Sequence, residues 1–235
     1  MSKLPESLSD KPVKLIEHSL AQHKLTQMRD RSNLEKAERE KFRRLMREVG
    51  LILCCEVTRH LLLQTSDYSA DPNGINLFQG DSLKEHRIVV IPIIRGGLVL
   101  AESFCELMPM ALVGHIGLFR EYVSGNSKVT NFFTSIPSAP ETDFFLIDAE
   151  INTSNTITSA VEILLNRVGV EASRISVVSL VAWENGLVTF YNNTDPRFRE
   201  VKIFTLAVDE ELDNEGMVFP GLGNVGVRLF GTHRG

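Results

Sequence analysis

Hydrophobic and polar positions alternate along the second half of the chain in a rhythm that predicts strands and helices in turn. Short apolar runs rich in β-branched residues are followed by segments with apolar residues at helical spacing, as at 98–107. Near-continuous apolar runs are typical of parallel strands that are covered on both faces. We therefore expect an α/β fold with a right-handed, doubly wound parallel sheet. The predicted strands lie at 88–94, 113–119, 144–147, 174–182 and 202–208.

The first half of the chain has a different pattern. Residues 1–12 are polar and are predicted to form a loose N-terminal tail, whereas residues 13–235 are expected to form a single domain. Before the regular alternation begins, the predicted elements are a strand at 13–17, a helix at 18–31, a long amphipathic helix at 34–63 and a hairpin or loop at 64–86.

The functional hypothesis depends most on residues 144–165. An apolar run ends at Asp148, a bend of small polar residues follows, and a helix is expected to begin near Thr156. In such an arrangement, free backbone N–H groups and the positive end of the helix dipole converge on an anion. The segment is therefore a candidate phosphate site. The alternative is an ordinary turn of a βαβ unit, in which Asp148 and Thr156 only cap the helix.

Charged side chains follow several of the predicted strands, where ligands bind in a doubly wound sheet. Two arginines and the pair Gly96-Gly97, which lets the backbone approach an anion, favour a phosphorylated substrate. Each feature also has a structural explanation, because an arginine can form a surface ion pair and the glycines can simply begin a helix. The residues at the predicted strand ends are Arg95, Arg120, Asp148, Trp183 and Asp209.

Composition narrows the class of protein. The formal net charge of −5 argues against nonspecific binding to nucleic acid, which needs a basic face. The N-terminus has no apolar signal segment, and no apolar run approaches the ~20 residues of a membrane span. We therefore expect a cytoplasmic protein with no membrane partner. Cys54, Cys55 and Cys105 lack metal-ligand spacing and are predicted to be small buried hydrophobes.

A set of motifs in a fixed order connects the chain to a known family. They are HSLAQHKLTQMRD at 18–30, IPIIRGGL at 91–98, VGHIGLFR at 113–120, LIDAEINTSNT at 146–156, AVDEEL at 207–212 and FPGLGNVGVRLFGT at 219–232. By these motifs the chain resembles uracil phosphoribosyltransferase, which makes UMP and pyrophosphate from uracil and 5-phosphoribosyl-1-pyrophosphate (PRPP). The resemblance implies a type I phosphoribosyltransferase-like sheet with a hood formed by the N-terminal and C-terminal segments.

The resemblance also implies a role for each matching position. Arg95 with Gly96 would bind pyrophosphate, Arg120 would reach the same group, and Asp148 would accept hydrogen bonds from the ribose hydroxyls. Magnesium would accompany PRPP, with Asn224 at the position expected to help organise it. The residues expected around the 5′-phosphate are Thr153, Ser154, Asn155, Thr156 and Thr158. Those expected around uracil are Ala182, Val218, Gly223 and Val225.

Several positions depart from the pattern of that family. Ser154 and Asn155 stand where the phosphate loop usually has two glycines, and a side chain in the left-handed region costs roughly 1–2 kcal/mol. A carboxylate at Glu150 near a phosphate would repel it unless the side chain points away or meets magnesium. The other departures are Asn224 and Val227 in place of two tail aspartates, Met217 in place of a tyrosine, and Glu150 itself in place of a methionine.

Two functional hypotheses follow. The first is an active uracil phosphoribosyltransferase of pyrimidine salvage. The second is a catalytically impaired homologue that binds a nucleotide, or an active subunit, in a regulatory role. The resemblance further implies a homodimer or larger homo-oligomer and a possible GTP effector, and the polar segment 121–143 is a candidate lid.

Overall fold

The computed structural model describes residues 3–31, 38–83, 87–123, 126–137 and 141–231, with the backbone alone for 120–123 and 126–128. Its strands are β1 (Val13–Leu15), β2 (Leu63–Ser69), β3 (Leu77–Leu83), β4 (Arg87–Pro92), β5 (Leu112–Val113), β6 (His115–Val123), β7 (Asn126–Ser135), β8 (Thr142–Ile147), β9 (Glu150–Ile151), β10 (Ile175–Val178), β11 (Val181–Trp183), β12 (Lys202–Thr205), β13 (Ala207–Asp209), β14 (Glu211–Leu212) and β15 (Val218–Phe219). The α-helices are α1 (Ser19–Arg29), α2 (Glu38–Val57), α3 (Leu98–Leu107), α4 (Asn155–Ile163), α5 (Glu184–Tyr191) and α6 (Val225–Phe230). In this part of the chain, no helix is both long enough and apolar enough to cross a membrane.

A sheet of six parallel strands forms the centre of the protein. Its order is β1-β12-β10-β8-β4-β5, so β8 lies between β10 and β4. Val177 of β10 pairs with Leu146 of β8 on one side and with Ile203 of β12 on the other. All five neighbouring pairs are parallel, which confirms the predicted α/β class.

Both faces of this sheet are covered, because successive side chains of each strand point to opposite faces. In β8, Phe144 and Leu146 belong to a core that packs on α4 and α5. Phe145 and Ile147 belong to a second core, built with α1, α2, α3 and α6. Helices therefore lie on both faces of the sheet, and the prediction that the sheet is doubly wound is confirmed.

The central strands are interrupted at the same level and continue into a second, three-stranded parallel sheet with the order β13-β11-β9. Continuous strands were expected at 174–182 and 202–208, so this part of the prediction is wrong. Buried hydroxyl groups lie at the interruption: Ser179 Oγ donates to Thr205 Oγ1 at 3.1 Å, and Thr205 Oγ1 donates to the carbonyl of Ala207 at 3.1 Å. These side chains satisfy polar groups where the regular ladder stops.

Two antiparallel hairpins leave the central sheet. The pair β2–β3 confirms the hairpin predicted within 64–86, and α2 consequently ends at Val57 rather than continuing to residue 63. The pair β6–β7 covers much of the expected lid. The residues predicted as a strand at 113–119 are extended, as β5 and β6, but only β5 belongs to the central sheet. After Gly114 the chain continues as β6, which pairs with β7, so the prediction of one parallel strand over the whole range is wrong.

Two predictions about burial also need correction. The polar tail at 1–12 is not loose throughout, since Leu8 is fully buried and Ser7 Oγ donates to Glu184 Oε1 at 2.5 Å. The apolar residue anchors the segment on the core that contains α5. Among the cysteines, only Cys54 is buried, because Cys55 lies on the solvent side of α2 and Cys105 is partly exposed.

The N-terminal and C-terminal segments pack on each other beyond the carboxyl ends of the strands, as the hood prediction requires. Arg228 of α6 donates to the carbonyl of Met28 at 2.7 Å and forms an ion pair with Glu38. Its guanidinium also lies 3.8 Å from the ring centroid of Phe42. These contacts of Arg228 join α6 to α1 and α2.

We expect Phe145→Ala to lower the free energy of unfolding by about 3–5 kcal/mol, as is typical when a buried aromatic ring is removed. Phe145 is 1% exposed, and its ring centroid lies 6.0 Å from that of Phe104 in α3. Urea unfolding measures the change. The control is Phe119→Ala, where the ring is 57% exposed and a change below about 0.5 kcal/mol is expected. Equal losses in both variants would contradict the core assignment.

Candidate active site

An open cleft of about 410 Å³ lies beyond the carboxyl ends of β4, β8 and β9. Ligands of doubly wound sheets bind at this position, where strand ends and helix starts converge. The cleft is therefore the candidate active site. Its walls consist of residues 93–96, 148–150, 152, 153, 156, 215–217 and 223–226.

The turn after β4 places Arg95 and Gly96 in the cleft, and it can do so only because glycine follows. A Cβ atom at Gly97 would lie 2.0 Å from the carbonyl oxygen of Ile147, and one at Gly96 would lie 2.9 Å from Asp148 Oδ1. Any side chain at Gly97 would push the turn away from β8, whereas one at Gly96 would displace the side chain of Asp148. The glycines thus bring Arg95 and Asp148 to the same wall.

The loop between β9 and α4 forms the opposite end of the cleft. Thr153 and Thr156 line it, whereas Ser154 is buried and directs its Oγ away, toward the carbonyl of Gly186 at 2.5 Å. Ser154 has φ 63°, the left-handed conformation for which glycine is favoured. Ser154 therefore has a backbone conformation that favours glycine. Its hydroxyl group is hydrogen-bonded to α5 and does not line the cleft.

Helix α5 holds this loop through a backbone contact. A Cβ atom at Gly186 would lie 1.8 Å from the carbonyl oxygen of Asn152, so a larger residue would displace the loop. The Asn152 side chain donates to the carbonyl of Gly216 at 2.9 Å. The loop is consequently fixed between α5 and the segment that follows β14.

Two polar atoms of the loop lack a partner in the described part of the protein. Thr153 Oγ1 and Asn152 Oδ1 are both buried and make no hydrogen bond there. Buried polar groups are normally satisfied, so unpaired ones need an explanation such as an absent ligand. The hydroxyl of Thr153 lies beside the start of α4, whose first N–H groups have no partner within the helix. Together these donors suit an anionic ligand.

The tail of the chain is held on the other side of the cleft by two carboxylates. Gly221 N–H donates to Asp209 Oδ2 at 3.0 Å, and Leu222 N–H donates to Glu150 Oε2 at 2.9 Å. Asp209 is also held by Arg29, with 2.9 Å between Nη2 and each oxygen. Arg31 donates to the carbonyl of Pro220 at 3.0 Å. This network fixes the turn that leads into Gly223.

Glu150 is the one of these two carboxyl groups that lines the cleft itself. Its pKa is raised to about 7, chiefly by burial and also by the nearby charge of Asp209, while the hydrogen bond from Leu222 lowers it. The attraction of Arg31 and Arg29 opposes this rise without cancelling it. Glu150 therefore changes charge near neutral pH.

The fit of the cleft to magnesium can be judged from its oxygen atoms. Asn224 Oδ1 accepts a hydrogen bond from Val227 N–H at 3.1 Å and so caps α6. One of the two acceptor sites of that oxygen is therefore used within the protein. The assignment of Asn224 to magnesium stays a prediction. Within the described ranges, no group of three or more histidine, cysteine or acidic side chains is placed to hold a metal. A magnesium ion would take most of its ligands from a bound polyphosphate.

Many of the predicted site residues are brought together, and some are not. The cleft is lined by Arg95, Gly96, Asp148, Thr153, Thr156, Gly223, Asn224 and Val225. Ala182 and Val218 are 0% and 1% exposed and lie behind its walls. Ser154, Asn155 and Thr158 are not among the lining residues, and the side chain of Arg120 on β6 lies outside the described side chains.

Asn152 and Gly186 are site residues that the sequence analysis missed. Asn152 lies within a stretch already considered, but its amide carries no motif of its own. Gly186 stands inside a helical pattern, where an isolated glycine often indicates close packing. The glycine within the helix therefore indicated a close contact, but the sequence does not show that the contact is with Asn152.

The sheet and the position of the cleft place the protein in the type I phosphoribosyltransferase class of α/β folds. Adenine phosphoribosyl transferase from Trypanosoma brucei has the same fold, with a TM-score of 0.53 at 13% identity, covering 92% of this chain and 90% of that one. A protein of Aquifex aeolicus is more similar, with a TM-score of 0.79 at 27% identity over 93% of this chain and 97% of that one.

Sequence comparison identifies the family. The family model for uracil phosphoribosyltransferase matches residues 15–232. The uracil phosphoribosyltransferase of Rhodospirillum centenum is 34% identical over 218 residues, which cover 93% of this chain and 94% of that protein. The chain therefore belongs to the uracil phosphoribosyltransferase family, and the prediction of a phosphoribosyltransferase is confirmed.

Ser154 supplies the first test of the site geometry. We expect Ser154→Ala to destabilise the protein by about 1–2 kcal/mol, because it keeps the left-handed backbone but loses the hydrogen bond to Gly186. In Ser154→Gly, relief of the backbone strain offsets the lost bond, and a change within about 0.5 kcal/mol is expected. Urea unfolding compares the two variants. Equal destabilisation by both would refute this account of the loop.

Glu150→Gln tests the raised pKa. Above pH 4.5, folded Glu150 retains a proton that the unfolded chain loses, so the wild-type protein loses stability as the pH rises to about 7. Glutamine does not ionise. We expect the variant to gain, relative to wild type, on the order of 2–3 kcal/mol between pH 4.5 and 8. Unfolding in urea at several pH values measures the difference, and a constant difference would be the contrary result.

Proposed function

We propose that the protein transfers the 5-phosphoribosyl group of PRPP to uracil, giving UMP and pyrophosphate, as the names of its relatives suggest. The observation that carries the proposal is the meeting of Arg95-Gly96, Asp148 and the Thr153–Thr156 loop in one cleft. Asp148 and the loop flank the short β9, whereas Arg95 follows β4. A cationic group, a carboxylate and a set of anion-binding donors are the parts that a phosphorylated sugar needs.

The 5′-phosphate would bind at the start of α4. Thr153 and Thr156 line this end of the cleft, and the unpaired Thr153 Oγ1 would donate to a phosphate oxygen. Ser154, Asn155 and Thr158 would contribute through main-chain groups or support, since their side chains are not in the cleft wall.

The ribose and the pyrophosphate would occupy the middle of the cleft. Asp148 would accept hydrogen bonds from the ribose hydroxyls, and Arg95 and Gly96 would contact the pyrophosphate. Arg120, on the hairpin strand β6, would reach the same group when the hairpin closes. Magnesium bound to the pyrophosphate would add further neutralising charge.

The base would lie against the tail. Gly223 and Val225 line this part of the cleft, and Val218 and Ala182 support it from behind. As the bond to pyrophosphate breaks, the ribose carbon gains positive charge and the leaving group gains negative charge. Positioning and charge stabilisation therefore matter more than a strong base. The hairpin β6–β7 would act as a lid that excludes water.

The proposal includes a homodimer or larger homo-oligomer in the cytoplasm, with GTP as a possible effector. Support for self-association comes from the β2–β3 hairpin, which exposes large apolar side chains that a partner would cover. Leu63, Ile75, Leu77 and Phe78 are 61%, 76%, 62% and 51% exposed.

A regulatory homologue with impaired catalysis is the second candidate. It is favoured by two features of the cleft wall: the carboxyl group of Glu150 and the neutral Asn224, whose oxygen is used as a helix cap. A charged Glu150 would repel the polyphosphate, which an uncharged residue would not do. The neutral Asn224 would attract magnesium less strongly than a free carboxylate at that position.

The test is formation of labelled UMP from labelled uracil with PRPP and magnesium. We expect product, and we expect Arg95→Ala to lower the rate roughly 10²–10³-fold, as for other groups that stabilise developing charge. Glu48→Gln is a suitable control, because Glu48 pairs with Lys24 on α1, outside the cleft. Absence of product, combined with thermal stabilisation by UMP or PRPP, would favour the regulatory candidate.

A further inference from the structure

One carboxyl group ties the strand that follows Asp148 to the turn at the base end of the cleft. Glu150 Oε2 accepts the N–H of Leu222 at 2.9 Å. The same oxygen would lie 3.1 Å from a Cβ atom at Gly221, so the turn packs directly on the carboxyl group. Leu222 itself is fully buried, and its N–H would have no water to replace this acceptor.

The neighbouring anchor of the turn is built differently. Asp209 accepts a hydrogen bond from the N–H of Gly221 and forms an ion pair with Arg29. Glu150 has no ion pair of this kind within the described ranges, and its carboxyl group faces the cleft that Gly223 also lines. Arg31 also contacts the turn, and its Cζ would lie 3.1 Å from a Cβ atom at Gly223. The position of Gly223 in the cleft therefore depends on Arg31 as well as on the contact between Glu150 and Leu222.

We propose that Glu150 is a positioning residue for the nucleobase: by holding the N–H of Leu222, it fixes Gly223 and Val225 against the base. The inference rests on the proposed function. It assigns to Glu150 an effect on ligands that carry a base, and none on the phosphate end at Thr153 and Thr156, which α5 holds independently through Gly186.

A purely structural role makes a different prediction. If Glu150 only stabilised the fold, its loss would lower the melting temperature and affect all ligands alike. A positioning role separates ligands with a base from ligands without one. It also requires that glutamine, whose carbonyl oxygen can accept the Leu222 N–H, restores binding where methionine does not.

The experiment measures dissociation constants by calorimetry for ribose 5-phosphate, UMP, CMP, AMP and GMP. The variants are Glu150→Met, Glu150→Gln and Glu150→Asp, whose shorter side chain cannot reach Leu222 in the same way. We expect the methionine and aspartate variants to weaken the best-bound nucleotide about 5- to 20-fold, the effect of one buried unpaired N–H. In Glu150→Gln, the dissociation constant of that nucleotide should stay within about 3-fold of the wild-type value. Ribose 5-phosphate should change less than about 2-fold in every variant.

Glu48→Met is the matched control, since it removes a carboxylate that pairs with Lys24 away from the cleft. It should leave the dissociation constants of ribose 5-phosphate and of the nucleotides unchanged. Equal weakening of ribose 5-phosphate and nucleotide, or failure of glutamine to restore binding, would overturn the inference. If Glu150→Met does not fold, Glu150→Asp decides by the same criterion. A best-bound nucleotide other than UMP would overturn the uracil assignment but leave the Glu150 comparison valid. No preference for any nucleotide over ribose 5-phosphate would overturn both.

Discussion

The architecture of the site depends on backbone approaching backbone at distances that no side chain permits. Gly97 meets the carbonyl of Ile147, and Gly186 meets the carbonyl of Asn152, with room for neither a methyl group nor water. The first contact brings the turn that carries Arg95 to the end of β8, and the second packs α5 against the loop between β9 and α4. Because protein interiors transmit small displacements rather than absorb them, these contacts set the spacing of the cleft walls.

Polar groups then divide the cleft into two ends with different chemistry. At the start of α4, the unpaired hydroxyl of Thr153 lies beside the first N–H groups of the helix, which suits an anion. At the tail, carboxyl groups accept hydrogen bonds from the successive N–H groups of Gly221 and Leu222, and Arg29 and Arg31 lie beside them. The first end therefore presents donors to the cleft, whereas the second uses its charged groups to hold the turn. The net charge of the whole chain, −5, therefore says little about the local field that a phosphorylated ligand would meet.

Much of the fold could be predicted because its signals are local. The run Phe144–Ile147 has the composition of a strand that is buried on both faces, and its neighbours repeat that composition. The interruption at Ser179 was not predictable, since the apolar pattern runs through it and the hydroxyl contact found there joins residues that are 26 apart in sequence. The same limitation applies to the cleft. Strand ends indicated Arg95 and Asp148, whereas the contact of Gly186 with the loop exists only in three dimensions.

The structure also changes which sequence departures bear on activity. The hydroxyl group of Ser154 points to α5. A serine in place of glycine therefore strains the backbone at this position but does not fill the cleft. The departures at Glu150 and Asn224 lie in the cleft wall itself, next to the tail. An impaired homologue would be expected to fail where its substitutions meet the ligand. We therefore expect any difference between an active enzyme and a regulatory relative to arise on the side of the cleft that Glu150 and Asn224 line, rather than at Ser154.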